Sequence, residues 1–401
     1  MRVIALALIV AGCGPQAGKT GEPPGTGNQN LDPNVDNDGD GFTINQGDCN
    51  DRDPTIYPGA PELCDGKDHN CNGTIDDPCD DDKDGYAIVA SDKLPGGDCN
   101  DQDPLINPGA FEYVGNMIDD NCNGMTDEPP PTCIANGNDA LAFTRSLDLC
   151  APWLVSAELN IDADPSAYRV LTKYGKYIPR KGADFFVAST GVAADESAKD
   201  FVLPQPGTAF KNNDANPWPM SKKNACYNGV DELLVHDYVE LKVTIKVPTN
   251  AKSFSFNFNF LSAEYPEYVG SQYNDTFLAL LDSRSYQGNV SFDMHGSPIT
   301  VNVAFFNVCD TADVCNGQAQ NVCTRPADEL DGTGYELTDA NGLRIGGGTG
   351  WLTTTAPVTP GETMTLRFIL FDEGDHIFDS AVLLDNFQWQ LNPASGPSTV
   401  G

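Results

Sequence analysis

Basic residues are scarce in this sequence. Lys and Arg number 23 against 58 Asp and Glu, which gives the 401-residue chain a formal charge of -35. Such a field repels phosphate backbones and anionic lipid surfaces. It excludes nucleic acid as a partner and attracts divalent cations or basic surfaces. Long apolar runs are also missing. The run at residues 3–11 is too short to span a bilayer. No G-x-S-x-G, H-E-x-x-H or P-loop string occurs, so the sequence offers none of those catalytic or nucleotide-binding signatures.

What is present begins with MRVIALALIVAGCG, where Arg2 precedes the short apolar run and Val10-Ala11-Gly12-Cys13 ends it. This string resembles a bacterial lipobox: a branched residue, two small residues and the cysteine that is lipidated. The resemblance implies a lipoprotein signal at 1–12, lipidation at Cys13 and a flexible Gly/Pro-rich tether over 13–34. It also implies export and a lipid anchor at the outer membrane or cell surface of a Gram-negative bacterium. The alternative is an ordinary secretory signal with an incidental cysteine. Of 13 cysteines, removing Cys13 leaves 12, an even number that suits disulfides in an oxidising compartment.

Acidic residues crowd residues 35–128, where only Arg52, Lys67, Lys83 and Lys93 are basic. The segment reads twice through one plan. The first copy runs DNDGDGF, GDCNDRDPTIYPGAPELCDG, DHNCNGTID, and the second runs DDDKDGY, GDCNDQDPLINPGAFEYVGN, DDNCNGMTD. Asp36, Asp38 and Asp40 alternate before Gly41. In a tight loop such side chains converge, and the glycine permits the sharp turn, as in the first half of an EF-hand loop. The twelfth position is Gly47 rather than Glu, and no helix pattern flanks the loop, so an EF-hand is excluded. Further ligands are expected from Asp48, Asp51 and Asp53, and a second set from Asp68, Asn70, Asn72 and Asp76. The second copy supplies Asp80, Asp82 and Asp84, then Asp98, Asp101 and Asp103, then Asp119, Asn121, Asn123 and Asp127. Glu62 and Glu112 hold matching places. Oxygen donors of this kind select a hard cation, calcium before magnesium; zinc and copper favour imidazole or thiolate, and His69 is the only histidine here. The bland alternative is a solvated acidic linker, but a linker need not repeat its Gly, Pro and Cys positions. Phe42, Ile56, Tyr57, Tyr86, Ile106 and Phe111 form the small expected core.

The disulfides follow from what the second copy lacks. Cys49 and Cys71 match Cys99 and Cys122, whereas Cys64 aligns with Val114 and Cys79 with the PPP stretch. The expected pairs are Cys49–Cys71, Cys99–Cys122 and Cys64–Cys79. Cys133, Cys150, Cys226, Cys309, Cys315 and Cys323 stay open, with Cys309–Cys323 or Cys309–Cys315 favoured.

The ordered strings DxDxDG, GDCND.DP, PGA.E and D.NCNG..D resemble the metal-binding repeats of the copper-associated protein MopE. They are also similar to the calcium-rich type 3 repeats of thrombospondins. The first resemblance implies copper; the oxygen donors imply calcium.

Residues 129–137 read as a Pro-rich linker, 138–392 as a β domain and 393–401 as a polar tail. Asn138 or Asp139 is placed to cap a short helix, ALAFTRSLDL. Alternation at Val239, Leu241, Val243, Ile245 and Val247, at Phe254, Phe256, Phe258 and Phe260, and at Met364, Leu366, Phe368 and Leu370 predicts strands. The fold class expected is mainly β: a loop-rich repeat module and a jelly-roll-like antiparallel β-sandwich with one or two short helices. The strings AFTRSLDLC, ASTGVA at 188–193, FNFNFLSAEYPEYVGSQYNDTFLALL and FDEGDHIFDSAVLLDNFQW resemble the choice-of-anchor L domain, which brings no catalytic residues to carry over. The LLDNF strand is similar to one in jelly-roll carbohydrate-binding modules.

A second acidic cluster is expected there. Glu264, Glu267, Asn274 and Asp275 follow the Phe strand, and Asp372, Glu373, Asp375 and Asp379 precede the last one. If those strands are neighbours, Glu264, Asp275, Asp372 and Glu373 can share a cation; the alternatives are solvated loop charges or a paired-carboxylate glycosidase site. His236 and His376 read as lone structural histidines. The function expected is a non-catalytic calcium-binding surface lipoprotein: a metal-stabilised repeat stalk presenting a sandwich for adhesion to a glycan or surface protein. A secreted calcium-stabilised hydrolase and a copper-binding surface protein are the alternatives.

Overall fold

The computed structural model describes residues 28, 30–62, 66–75, 80–88, 90, 94–160, 162–210, 213–217, 234–271, 273–293, 295–301, 305–310, 314–315, 318–319, 323–338 and 344–401. The lipobox with Cys13, Asp76, the Cys64–Cys79 pair and Cys226 lie outside the described residues. The chain forms two compact units. One holds the residues up to Pro108 together with Gly115–Asp127, and the other holds Gly109–Val114 together with Glu128–Gly401.

The first unit is made of turns rather than sheets, and its two copies share one plan. Cys49 is bonded to Cys71 and Cys99 to Cys122, with Cα atoms 5.6 Å apart in each. The Tyr57 N–H donates to the His69 carbonyl at 2.9 Å, and the Asn107 N–H donates to the Asp120 carbonyl at 2.9 Å. Ile56 and Ile106 are the buried anchors, and Phe42 stacks on Tyr57 with ring centroids 5.5 Å apart. Tyr86 is only half-buried, and Phe111 belongs to the second unit, where it packs against the sandwich core instead of the repeat's. So little apolar surface stabilises only weakly, which leaves the disulfides and the loops to hold the copies in shape.

The second unit is a two-sheet antiparallel sandwich. Its strands of four or more residues, among those described, are β1 (Leu154–Leu159), β2 (Tyr168–Leu171), β3 (Phe185–Ser189), β4 (Leu234–Lys246), β5 (Ser253–Ser262), β6 (Thr276–Asp282), β7 (Leu352–Pro357), β8 (Thr363–Asp372) and β9 (Ser380–Gln390). One sheet runs β1-β4-β8-β6 and the other β7-β5-β9-β3-β2. The alternating residues face each other across the core. Within one sheet Leu366 of β8 pairs with Val243 of β4, and across the core Phe256 of β5 meets Phe368 of the facing sheet edge-on at 5.1 Å. On β5 the polar alternates Ser255, Asn257 and Asn259 are buried too. A second apolar layer that includes Tyr174, Tyr177, Leu330 and Tyr335 packs with Phe185, Leu261 and Leu383 of this sheet.

The helix is Ala140–Ser146, shorter than ALAFTRSLDL, because Asp148 turns left-handed at φ 64. Asp139 caps it, accepting from the Ala142 N–H at 2.8 Å. The Pro-rich linker is pinned by Cys133–Cys150, and Cys309 is bonded to Cys323, one of its two favoured partners. The C-terminal residues are not a free polar tail. Ser398–Val400 pairs with the edge of β7, where Thr and Val suit an extended chain, and the Thr399 and Thr354 hydroxyls lie 3.0 Å apart.

β9 is broken by a bulge between Asp385 and Gln388, where Asn386 has φ 57. The buried Asp385 carboxylate holds that bulge, accepting from the N–H groups of Arg180, Lys181 and Asn386. Burial pushes Asp385 up to about 7 despite these donors, and Asp148 adds to the rise. In the unfolded chain it titrates near the usual ~4. The folded state therefore keeps a proton that the unfolded chain loses between about pH 4 and 7. This contribution is most favourable below that window and is lost as pH rises through it. Stability of the sandwich, read by denaturant unfolding at pH 5 and 8, is expected to fall across the window. Asp385→Asn should reduce that fall by roughly 1–3 kcal/mol; identical slopes for both proteins would contradict the assignment.

Candidate metal centres

The repeats contain one loop four times. In each, the first aspartate accepts from the N–H of the glycine five residues on: Asp36 from Gly41 at 3.1 Å, Asp68 from Gly73 at 2.8 Å, Asp80 from Gly85 at 3.1 Å and Asp119 from Gly124 at 2.9 Å. The residue before that glycine accepts from the N–H two positions on: Asp40 from Phe42, Asn72 from Thr74, Asp84 from Tyr86 and Asn123 from Met125, all at 2.7–2.8 Å. These short-range bonds fix the loop, and Gly41, at φ 100, supplies a turn that other residues disfavour. The DxDxDG and DxNxNG strings thus share a backbone and differ in charge.

The all-aspartate loops gather further carboxylates. Asp36, Asp38 and Asp40 bring oxygens within 4.8 Å of one another, as do Asp38, Asp48 and Asp51. The second copy gathers Asp80, Asp82 and Asp101, and Asp82, Asp84 and Asp98, within the same limit. The oxygens divide their work the same way in both copies. Oδ1 of Asp38, Asp40 and Asp48 accepts from the chain's own N–H groups, and so does Oδ1 of Asp82, Asp84 and Asp98. Oδ2 of all six is buried with no hydrogen-bond donor. Burial, with the neighbouring carboxylates, raises Asp48 and Asp84 to about 6 and pushes Asp38, Asp82 and Asp98 up as well. Asp101 is raised to about 6 by the same causes. Holding such charges together is unfavourable unless a cation neutralises them.

Not every expected ligand joins. Asp53 turns away to Thr55 and to Lys67, whose Nζ lies 3.2 Å from its Oδ2. Asp103 accepts from the Leu105 N–H and stands outside the carboxylate groups. Asp127 accepts from the N–H groups of Gly115 and Met117. Asn70 and Asn121 accept within their own loops, from the N–H groups of Asn72 and Asn123. Glu62 is a brace: it accepts from the N–H groups of His69 and Asn70.

The donor set fits a hard cation. His69, the one imidazole, is buried with Nδ1 3.8 Å from Glu62, and Asp120 takes its place in the second copy. The four cysteines described in the repeats are oxidised. No nitrogen or sulfur ligand set common to both copies exists among the described residues, which disagrees with copper chemistry.

In the sandwich, Glu264, Asp275 and Asp372 converge, with one oxygen from each within 4.8 Å of the others. Glu373 stands apart and accepts from the Asn216 side chain at 3.1 Å. Two features at this end had no sequence signal. The Thr190 hydroxyl donates to Asp275 at 3.1 Å, and Asp237 pairs with His376 Nδ1 at 2.9 Å. The histidines are not isolated, since the His236 and His376 rings lie 4.3 Å apart. Burial, only partly offset by the His376 charge, raises Asp237 to about 6.

Asp379 is buried at the same end. It accepts from the Thr208 N–H, and a Cβ on Gly191 would lie 1.8 Å from its Oδ2. Gly191→Ala is therefore expected to destabilise the sandwich by about 1–3 kcal/mol in denaturant unfolding, from overpacking against a buried carboxylate. An unchanged midpoint would show that this end has room to give.

Comparison with known families finds two. The model described as "Putative metal-binding motif", of the MopE type, matches residues 48–77 and 98–128, one match in each copy. No curated protein matches the chain. A solved structure, the K3 cleaved adhesin domain of Lys-gingipain from Porphyromonas gingivalis W83, is similar at a TM-score of 0.15 and 9% identity, covering 58% of this chain and 99% of that one. Likeness at that level carries no argument. The Choice-of-anchor L domain model matches residues 183–388, and with just over half of its 401 residues so matched the chain belongs to the Choice-of-anchor L family.

Proposed function

We propose that this chain is an exported, lipid-anchored surface protein, non-catalytic, whose repeats bind calcium and stiffen into a stalk. The sandwich then serves as the adhesive head, taking a glycan or a surface protein. The observation that carries the metal reading is the set of six inward carboxylate oxygens, three at matching positions in each copy, buried without a donor. Calcium tolerates irregular oxygen cages and accepts carboxylate-rich sites, whereas magnesium demands stricter octahedral geometry. The family name of the repeats points to copper, and the ligand chemistry favours calcium over it. The surface reading rests on the Choice-of-anchor L membership. Attachment through Cys13, at the end of the lipobox-like string Val10-Ala11-Gly12-Cys13, is the form of anchoring we propose.

Isothermal titration of the full chain, stripped of metal, tests this. Calcium is expected to bind with release of protons from the raised aspartates at pH 6, and copper is not expected to displace it. Limited proteolysis should cut within residues 35–128 at least about tenfold faster in chelator than in calcium, because metal binding contributes folding energy to the repeats. Asp38→Asn with Asp82→Asn should weaken binding by roughly 10–100-fold, as expected for loss of a charged ligand in each copy. Equal cleavage rates with and without calcium would sink the reading.

A further inference from the structure

The convergence of Glu264, Asp275 and Asp372 has a feature the repeats lack: it joins the two sheets. Glu264 lies two residues beyond β5, in one sheet. Asp275 immediately precedes β6 and Asp372 ends β8, neighbours in the other sheet, where Phe371 is paired with Thr276. The three side chains are 1%, 0% and 2% exposed, so bulk water does not screen them.

The hydrogen bonds at this cluster leave one oxygen each of Asp275 and Asp372 without a donor. Glu264 Oε2 accepts from the Asp275 N–H at 3.1 Å, and Asp275 Oδ2 accepts from Thr190. Asp275 Oδ1 and Asp372 Oδ1 are buried with no donor. Among the described residues, no lysine or arginine pairs with Asp275 or Asp372. Elsewhere the same sandwich answers a buried carboxylate with a cation. Glu240, 9% exposed, receives Arg367 through two hydrogen bonds of 2.6 and 2.8 Å and the Tyr238 hydroxyl at 2.5 Å. A proton shared by Asp275 and Asp372 would satisfy those two oxygens but would leave two negative charges among the three groups. A divalent ion neutralises more of the charge and uses both oxygens as ligands.

We propose that Glu264, Asp275 and Asp372 bind a calcium ion that staples the two sheets at this end of the sandwich, independently of the repeats. Oxygen donors from three chain segments set the class of ion, a hard divalent cation. The loops 263–275 and 373–379 end on these ligands, so the ion also fixes the surface those loops present.

The four tryptophans, Trp153, Trp218, Trp351 and Trp389, all lie outside the repeats. Tryptophan fluorescence of the full chain therefore reports the sandwich alone. In wild type, saturating calcium is expected to raise the melting temperature seen by this signal by roughly 5–10 °C over chelator. Asp372→Asn should abolish that shift, yet melt no lower than wild type in chelator, because it removes a buried charge. Glu264→Gln serves the same comparison if the first variant does not fold. Asp38→Asn with Asp82→Asn should keep the full shift, even if calcium fails to protect the repeats from proteolysis, so the two readings fail separately. The proposal is overturned if wild type melts alike in calcium and chelator, as a shared proton predicts. It is equally overturned if the shift survives in Asp372→Asn and Glu264→Gln, or vanishes in the repeat variant.

Discussion

A carboxylate has two oxygens, and the repeats depend on giving them different tasks. One oxygen closes the loop by accepting from the chain's own N–H groups; the other faces inward among its like. The first task gives the loop its shape, so part of the ordering that binding needs comes from the chain itself. The second makes the fold unfavourable without a counter-charge. With Ile56 and Ile106 as the buried anchors, no large core offsets that repulsion. The disulfides Cys49–Cys71 and Cys99–Cys122 limit how far each copy opens when the charges are uncompensated.

The sandwich solves the opposite problem. Its core is ample, with Phe254, Phe256, Phe258 and Phe260 all fully buried on one strand, and the convergent carboxylates Glu264, Asp275 and Asp372 sit at one end. Amid the sheet, Glu240 is met by an arginine from the neighbouring strand, and Asp385 by backbone N–H groups. At the end of the sheets, oxygen donors from separate loops meet instead.

Much of this was legible in the sequence because it was periodic or repeated. The Phe alternation at 254–260 marks β5, and the duplicated cysteines at 49, 71, 99 and 122 mark two closed loops. Asp139 announces its helix because capping is local chemistry. The rest depends on distant partners. Asp53 and Asp103 look like ligands by spacing, but neighbours turn them outward: Thr55 and Lys67 hold one, and the Leu105 N–H holds the other. Glu373 follows Asp372 directly, yet the strand's alternation sends it to Asn216. Cys133–Cys150 has no second copy against which to be argued. The edge strand at 398–400 exists only because β7 offers it an unpaired side.

The shared loop geometry also governs how these repeats age. Asp-Gly and Asn-Gly junctions are chemically fragile, since the glycine nitrogen can attack the preceding side-chain carbonyl carbon and close a succinimide. Asp40-Gly41, Asn72-Gly73, Asp84-Gly85 and Asn123-Gly124 are four such junctions. In each, the attacking nitrogen is already held by the first aspartate of its loop. A closed loop is thereby kept from cyclising, and an open one drifts toward isoaspartate, whose longer backbone displaces its carboxylate. The same hydrogen bond that shapes the loop thus sets its chemical lifetime.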